Sequence, residues 1–242
     1  MNILVIDVGG TNIKIRLCGR PEPIRIPSGP DLTAKAMVTK VKKATADWSY
    51  DVVSIGLPSP VMNGQLLHEP INLGGGWVGF DFAAGFGKPV KLINDAAMQA
   101  LGSYRGGRML FLGLGTGLGS AAIFEGVLQP MELAHLPYRK EKTFEDYIGL
   151  RGLERTGKAK WEGHVHAVVE ILRTALQADY VVLGGGNVKK LEKLPPHTTR
   201  GDNMNAFVGG ERLWAPNLPT AEPLLVPAPK RASRRRPPPE RS

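Results

Sequence analysis

Asp7-Val8-Gly9-Gly10-Thr11-Asn12-Ile13-Lys14 follows directly on the apolar run Ile3-Leu4-Val5-Ile6 and gathers within eight residues the groups that hold a phosphate. Glycine lets the main chain approach an anion, Thr11 brings a hydroxyl, Lys14 a cation, and Asp7 can orient a magnesium ion directly or through water. A plain strand-turn-strand needs glycines too, so the motif alone leaves both readings open. A second constellation is Asn94-Asp95, at the end of Val90-Lys91-Leu92-Ile93. A carboxylate there can take the proton of an attacking hydroxyl, and the same pair can equally cap the helix that follows. A third is Glu132 and His135, three residues apart in an otherwise apolar stretch, where two polar side chains need partners if they are buried.

The elements that must position these residues alternate between strand and helix patterns. A hairpin spans the run from Ile3 to Leu17, with Pro21 to Pro27 as a third strand. A helix is expected from Asp31, as its cap, to about Asp47. Asp51 to Leu57 is a buried-strand pattern stopped by Pro58, Phe80 to Phe86 a short helix, Val90 to Ile93 a strand, and Ala96 to Tyr104 a helix entered from Asn94-Asp95. The order then partly repeats. Arg108 to Leu114 and Leu118 to Phe124 flank Gly115-Thr116-Gly117, a second Gly-Thr turn. Trp161, Val165, Val168, Val169, Leu172 and Leu176 form one helical face, Tyr180 to Leu183 runs into Gly184-Gly185-Gly186, and Asn203 to Trp214 reads as a last helix. Two α/β lobes, 1–104 and 105–214, divided near Ser103–Arg108, account for this order.

Composition bounds the rest. With 42% hydrophobic residues in 242, the chain can bury a sizeable core. Cys18 is the single cysteine, which excludes an intrachain disulfide and a multi-cysteine zinc site, and is read as strand packing. The first apolar run stops at Asp7 and has no basic leader, so neither a secretion signal nor a membrane span is expected, and the cytoplasm is the default compartment. Of the formal charge of +9, residues 215–242 carry +4. Their prolines and arginines read as a disordered tail, so the core is only mildly basic and no specific nucleic-acid contact is expected.

Three glycine-rich turns in this order around an Asn-Asp resemble the two-lobed sugar kinases of the actin, heat-shock-70 and hexokinase superfamily, whose α/β fold is ribonuclease H-like. More narrowly, the chain is similar over residues 1–214 to the repressor, open reading frame and kinase (ROK) family, in particular its polyphosphate or ATP glucokinase branch. The resemblance assigns donor binding to Gly9, Gly10, Thr11, Asn12 and Lys14 in the first turn. Gly115, Thr116 and Gly117 match the second, and Gly184, Gly185 and Gly186 the loop at the donor's far end. Asp7 is the metal-side carboxylate and Asp95 the catalytic base. Asn94, Glu132, His135 and Glu145 match the family's sugar ligands, although Ala134 stands where Glu-x-Gly-His has glycine. The loops Gly56–Pro60 and Ile71–Trp77 fall where the first lobe closes over the sugar, with Trp77 at the rim or in the core.

The implied reaction is transfer of a phosphoryl group from ATP or polyphosphate, with Mg2+, to the 6-hydroxyl of a hexose, glucose first, by a homodimer. Pro137-Tyr138-Arg139-Lys140-Glu141 replaces the family's common zinc-binding segment, so no structural zinc is expected. The alternatives are a sugar-binding or regulatory protein without turnover, and a repressor. Against the latter, the hairpin begins at Asn2, which leaves no room for a preceding helix-turn-helix.

Overall fold

The computed structural model describes residues 1–202 and 204–218. Its first half runs β1 (Ile3–Val8), β2 (Asn12–Leu17), β3 (Ile24–Pro27), α1 (Ala34–Ala44), β4 (Val52–Leu57), the small hairpin of β5 (Val61–Met62) and β6 (Gln65–Leu66), α2 (Phe82–Phe86), β7 (Val90–Asn94) and α3 (Asp95–Ser103). The second half runs β8 (Arg108–Leu114), β9 (Leu118–Phe124), β10 (Val127–Met131), the hairpin of β11 (Pro137–Arg139) and β12 (Lys142–Thr143), α4 (Phe144–Ile148), α5 (Leu150–Thr156), α6 (Lys158–Ala175), β13 (Tyr180–Gly184), β14 (Thr198–Arg200) and α7 (Asn205–Arg212).

The same sheet is built twice. Strand orders are β3-β2-β1-β4-β7 and β10-β9-β8-β13-β14, each with a three-stranded antiparallel meander on one side and two parallel strands on the other. Alternation along the central strands sends their side chains to separate cores. Leu4, Ile6 and Val8 of β1 pack with α1, whereas Ile3 and Val5 face a middle core. Leu110, Leu112 and Leu114 of β8 pack with α6, whereas Met109 and Phe111 face the same middle core. Asp7 continues the Ile3–Val5 face and therefore projects between the sheets.

The middle core is filled by α3 and α7, which are nearly bare where they meet. A Cβ on Gly102 would strike the Asn205 carbonyl, and one on Gly209 the Met98 carbonyl. The helices also exchange sheets: α3 lies on β8 and β9, and α7 returns from the second half to lie on β1 and β4. Ser54 Oγ donates to the Gly210 carbonyl (2.6 Å) and accepts from Trp214 Nε1 (2.9 Å), Arg16 pairs with Glu211 (2.7 Å), and the Arg212 guanidinium donates to the Leu101 and Tyr104 carbonyls at the end of α3. Those last carbonyls have no partner within their own helix, so the arginine acts as their cap.

Several expectations shift. Helix α1 begins after Thr33, whose Oγ1 accepts the Ala36 N–H (3.2 Å), because Gly29 to Leu32 is held in a turn by the Leu32 N–H to Gly29 carbonyl bond (3.0 Å) and Asp31 falls inside it. Trp77 is core, fully buried with Nε1 donating to the Leu32 carbonyl (3.2 Å). Cys18 follows β2 as a half-buried free thiol. Residues 215–218 continue from α7, and the remainder of the segment read as a tail, 219–242, lies outside the described residues. Among the described residues no helix is long and apolar enough to cross a membrane.

Because α3 and α7 touch through main chain, one added methyl has nowhere to go. Gly209→Ala should lower stability by about 2 kcal/mol or more, as overpacking against backbone does. A urea denaturation midpoint matching the parent's would show that the crossing relaxes freely.

Candidate active site

The first turn, 9–11, joins β1 to β2. Asp7 and Lys14 are cross-strand partners, and Lys14 Nζ donates to Asp7 Oδ2 (2.9 Å), with the carboxylate nearly buried and the ammonium about a third exposed. The Gly9 N–H donates to the Asn12 carbonyl (3.0 Å). Close approach, not left-handed backbone, explains Gly10: a Cβ there would press on Asn72 Cβ at 3.2 Å, so the loop from Ile71 to Trp77 lies against the turn. The Thr11 carbonyl accepts the Ser28 N–H (2.9 Å), and Thr11 itself is exposed at the apex.

The second turn, 115–117, repeats this plan between β8 and β9. The Gly115 N–H donates to the Gly117 carbonyl (3.1 Å), the Thr116 carbonyl accepts the Leu150 N–H (3.1 Å), and Thr116 is exposed. Both apices are therefore tied down from outside by one main-chain bond to their threonine, leaving the hydroxyl free to face a ligand. Glu145 lies directly against this turn: its Oε2 accepts the Leu118 N–H (3.1 Å), its Oε1 faces Arg151 (3.3 Å), and a Cβ on Gly117 would meet its carboxylate. The triplet Gly184–Gly186 leaves β13 beside it. Gly185 is left-handed (φ 87°) and packed on the Leu114 main chain, where no side chain would fit.

Asn187 was absent from the sequence reading. It is buried, its N–H donates to the Leu114 carbonyl (3.0 Å), and its Nδ2 donates to the Gly115 carbonyl (2.8 Å), so the third loop clamps the second turn. The signal that could have found it is a polar residue directly after a glycine triplet.

Asn94 does cap α3: its Oδ1 accepts from the Ala96 and Ala97 N–H groups (3.0 and 3.2 Å), while its Nδ2 reaches the Ser59 carbonyl (3.4 Å). That leaves Asp95 as the first helical residue, half-buried, with its Oδ1 accepting the Ala96 N–H (2.7 Å). Burial pushes the Asp95 carboxyl up to about 7, and repulsion from Asp7 adds to it, against the opposing pull of the Ala96 N–H and Lys14. Asp7 stands opposite Gly56 in the sheet, and Gly56 approaches the Asp95 main chain. On the other side Gly119, at the start of β9, approaches Ala96 closely. Asp95 thus sits where the strands leading from both turns converge.

Glu132 and His135 follow β10, 3.8 Å apart and exposed by 58% and 71% at their side chains. Ala134 between them is buried, and its carbonyl accepts the Glu145 N–H (3.0 Å), which links this segment to α4. The arrangement brings Asp7, Lys14, Asn94 and Asp95 together in one wall and Glu145 to the second turn.

Asp95 should also register in stability. Its carboxyl binds a proton more tightly folded than unfolded, so its favourable contribution is complete below the ordinary value of 3.8 and is lost as pH rises toward about 7. Asp95→Asn should therefore stabilise the protein at pH 8 but hardly at pH 4. Urea midpoints at the two pH values, with an equal difference at both, would contradict the buried, charge-opposed placement.

No family model matches the chain. It is 26% identical over 214 residues to a polyphosphate glucokinase of Mycobacterium tuberculosis, a match that covers 79% of this chain and 80% of the relative. Among solved structures it is similar to the inorganic polyphosphate/ATP-glucomannokinase of Arthrobacter sp. strain KM, at 25% identity and a TM-score of 0.74, over 86% of this chain and 96% of that one. It also superposes on a ROK family glucokinase from Streptomyces griseus in complex with glucose and AMPPNP, at 18% identity and a TM-score of 0.70, over 88% and 99%. Two like sheets with a Gly-Thr turn on each and a carboxylate heading the helix between them agree with these likenesses: the chain is similar in sequence and fold to sugar kinases of the ROK family.

Proposed function

We propose that this chain is a hexose kinase that transfers the terminal phosphoryl group of ATP or inorganic polyphosphate to the 6-hydroxyl of a hexose, most simply glucose. The observation that carries the reading is Asp95 itself. A carboxylate held at about 7 by burial and by Asp7 is a base poised near neutral pH, and it lies beside Gly56, the strand partner of Asp7, and next to Ala96, which Gly119 of the second hairpin approaches.

In this reading the sugar lies on Asn94, Glu132, His135 and Glu145, with its primary hydroxyl toward Asp95. Asn94 Oδ1 is engaged by the helix, so its Nδ2 is the group that donates to a neighbouring hydroxyl. Glu132 and His135 are solvent-facing without substrate and would gain partners on binding. Asp95 orients the attacking oxygen and accepts its proton as the bond to phosphorus forms, and the proton leaves with solvent or product when the cleft reopens. The donor's terminal phosphoryl is held by Gly9, Gly10, Thr11, Asn12 and Lys14 on one side and Gly115, Thr116 and Gly117 on the other. Gly184, Gly185 and Gly186 border its far end.

A divalent cation fits this wall. Asp7 offers one buried carboxylate, only partly countered by Lys14 and facing a second carboxylate, which suits Mg2+ completed by water and phosphate oxygens. Among the described residues no three His, Cys, Asp or Glu side chains converge into an all-protein cage. When bound, the ion neutralises charge on the phosphoryl oxygens. Similarity to the kinases named above supports the choice of donors and acceptor, and a cytoplasmic homodimer completes the proposal.

The test is a grid of hexoses against ATP and polyphosphate, each with Mg2+, read as sugar 6-phosphate. Asp95→Ala should cut turnover by about 10²- to 10⁴-fold, the range of a lost general base, while sugar affinity changes little. In the parent, kcat/KM should climb with pH and level off near 7. Equal turnover in parent and Asp95→Ala, or no sugar phosphate from any pair, would refute the assignment.

A further inference from the structure

A file of arginines leads away from the second turn, and no step above uses it. Arg151 comes first, immediately after Leu150, whose N–H holds the Thr116 carbonyl, and its side chain is 74% exposed. Arg155 is next: its guanidinium donates to the Asp146 carbonyl (2.7 Å) and lies 4.8 Å from the centre of the Tyr147 ring. Tyr147 meets Tyr138 edge-on at 5.1 Å, and the Arg139 guanidinium sits 5.1 Å from the Tyr138 ring.

Neither Arg139 nor Arg155 has a carboxylate partner among the described residues. Aromatic faces hold them instead, which fixes a guanidinium without cancelling its charge. Between them His164 packs edge-on against Tyr147 (4.7 Å), and its Nδ1 lies 3.3 Å from the Tyr138 hydroxyl. Burial, with the charges of Arg139 and Arg155 adding to it, holds that imidazole below its usual range. Across residues 139–160 there are seven Lys or Arg against four Asp or Glu, so the surface is positive overall.

We propose that Arg151, Arg155 and Arg139 form a lane for the distal phosphoryl units of a linear inorganic polyphosphate whose terminal unit lies at the second turn. The inference rests on the kinase reading and extends it. Two rings in contact separate the Arg155 and Arg139 guanidinium groups, so an anion that reaches both must be extended and carry charge along its length, as a linear polyphosphate does. A nucleobase is disfavoured, because the Tyr138 and Tyr147 faces are already taken by the arginines and by each other.

The experiment compares the full chain with Arg139→Gln/Arg155→Gln and, separately, with Arg151→Ala, whose exposed side chain can be removed without disturbing packing. Equilibrium binding of a medium-length polyphosphate is measured at rising salt, beside ATP and a single-stranded RNA, together with KM for each donor and for the hexose. Polyphosphate affinity should fall about tenfold for Arg151→Ala, the equivalent of one lost charge-assisted contact, and further for the double variant, which loses two, with a flatter salt dependence in each. KM for ATP and for the hexose should hold in the Arg139/Arg155 variant.

Unchanged polyphosphate affinity would overturn the lane, as would equal losses for ATP and polyphosphate. RNA bound as tightly and displaced by the same substitutions would make the surface a nucleic-acid site instead. Should the parent phosphorylate no hexose yet lose polyphosphate binding on substitution, the lane would stand and the kinase reading would fall.

Discussion

Two carboxylates that repel each other, Asp7 and Asp95, are kept side by side, and the architecture can be understood as the means of keeping them there. Asp7 is fixed by β1, whose alternate residues are locked in two different cores, so it cannot turn away without unpacking Ile3 and Val5. Asp95 is fixed by α3, which is wedged between the sheets and crosses α7 main chain to main chain. Lys14 relieves part of the repulsion from across the hairpin. Burial, more than the repulsion that remains, disfavours the ionised Asp95 carboxyl and raises it to about 7, the range a neutral-pH base requires.

The duplication explains why each sheet carries a turn of one design, and its breaks explain why the two are not equivalent. Ser28 and Leu150 tie the two threonine carbonyls in matching fashion. The first turn adds a charged pair, Asp7 and Lys14, while the second adds Glu145, bonded to Leu118 and next to Arg151. In the proposed reading Glu145 is a sugar ligand that also touches the second turn. Two oxygens with several lone pairs would permit both contacts at once.

Much of this was legible in the chain. Strand runs ending at Gly-Thr, and the Asn-Asp at the foot of β7, declare themselves because period-2 burial and turn glycines are local properties. Asn94 caps α3 through its oxygen, one of the two readings its position allows, and its nitrogen is the group left to serve the other. Other features are products of tertiary packing. The α3–α7 crossing is encoded in Gly102 and Gly209, residues that also read as weak helix formers, so nothing local says that backbone will touch backbone there. Hairpins with strands of two residues, such as β5 with β6, have no periodicity to read. Asn187 and the stacking of Arg155 on Tyr147 depend on partners far off in sequence or in the preceding helix, and the seat of Glu145 against the second turn depends on Leu118, far back in the chain.

The exchange of helices also constrains how the cleft can close. Since α3 lies on the second sheet and α7 on the first, a simple rotation of one half about a single linker would have to shear their main-chain contact. The linker itself is pinned on both sides: Tyr104 Oη donates to the Gly107 carbonyl (3.0 Å) and accepts the Gly126 N–H (2.8 Å), the Arg105 N–H donates to Tyr180 Oη (3.1 Å), and Arg212 holds the Tyr104 carbonyl. The base of the cleft is therefore stiff, and closure has to come from its rim. Ile71 is almost fully exposed beside the first turn, and Glu132 and His135 are exposed in the second half. Folding that rim over a sugar would further desolvate Asp95 and strengthen its hold on a proton, so the base gains driving force as water is excluded.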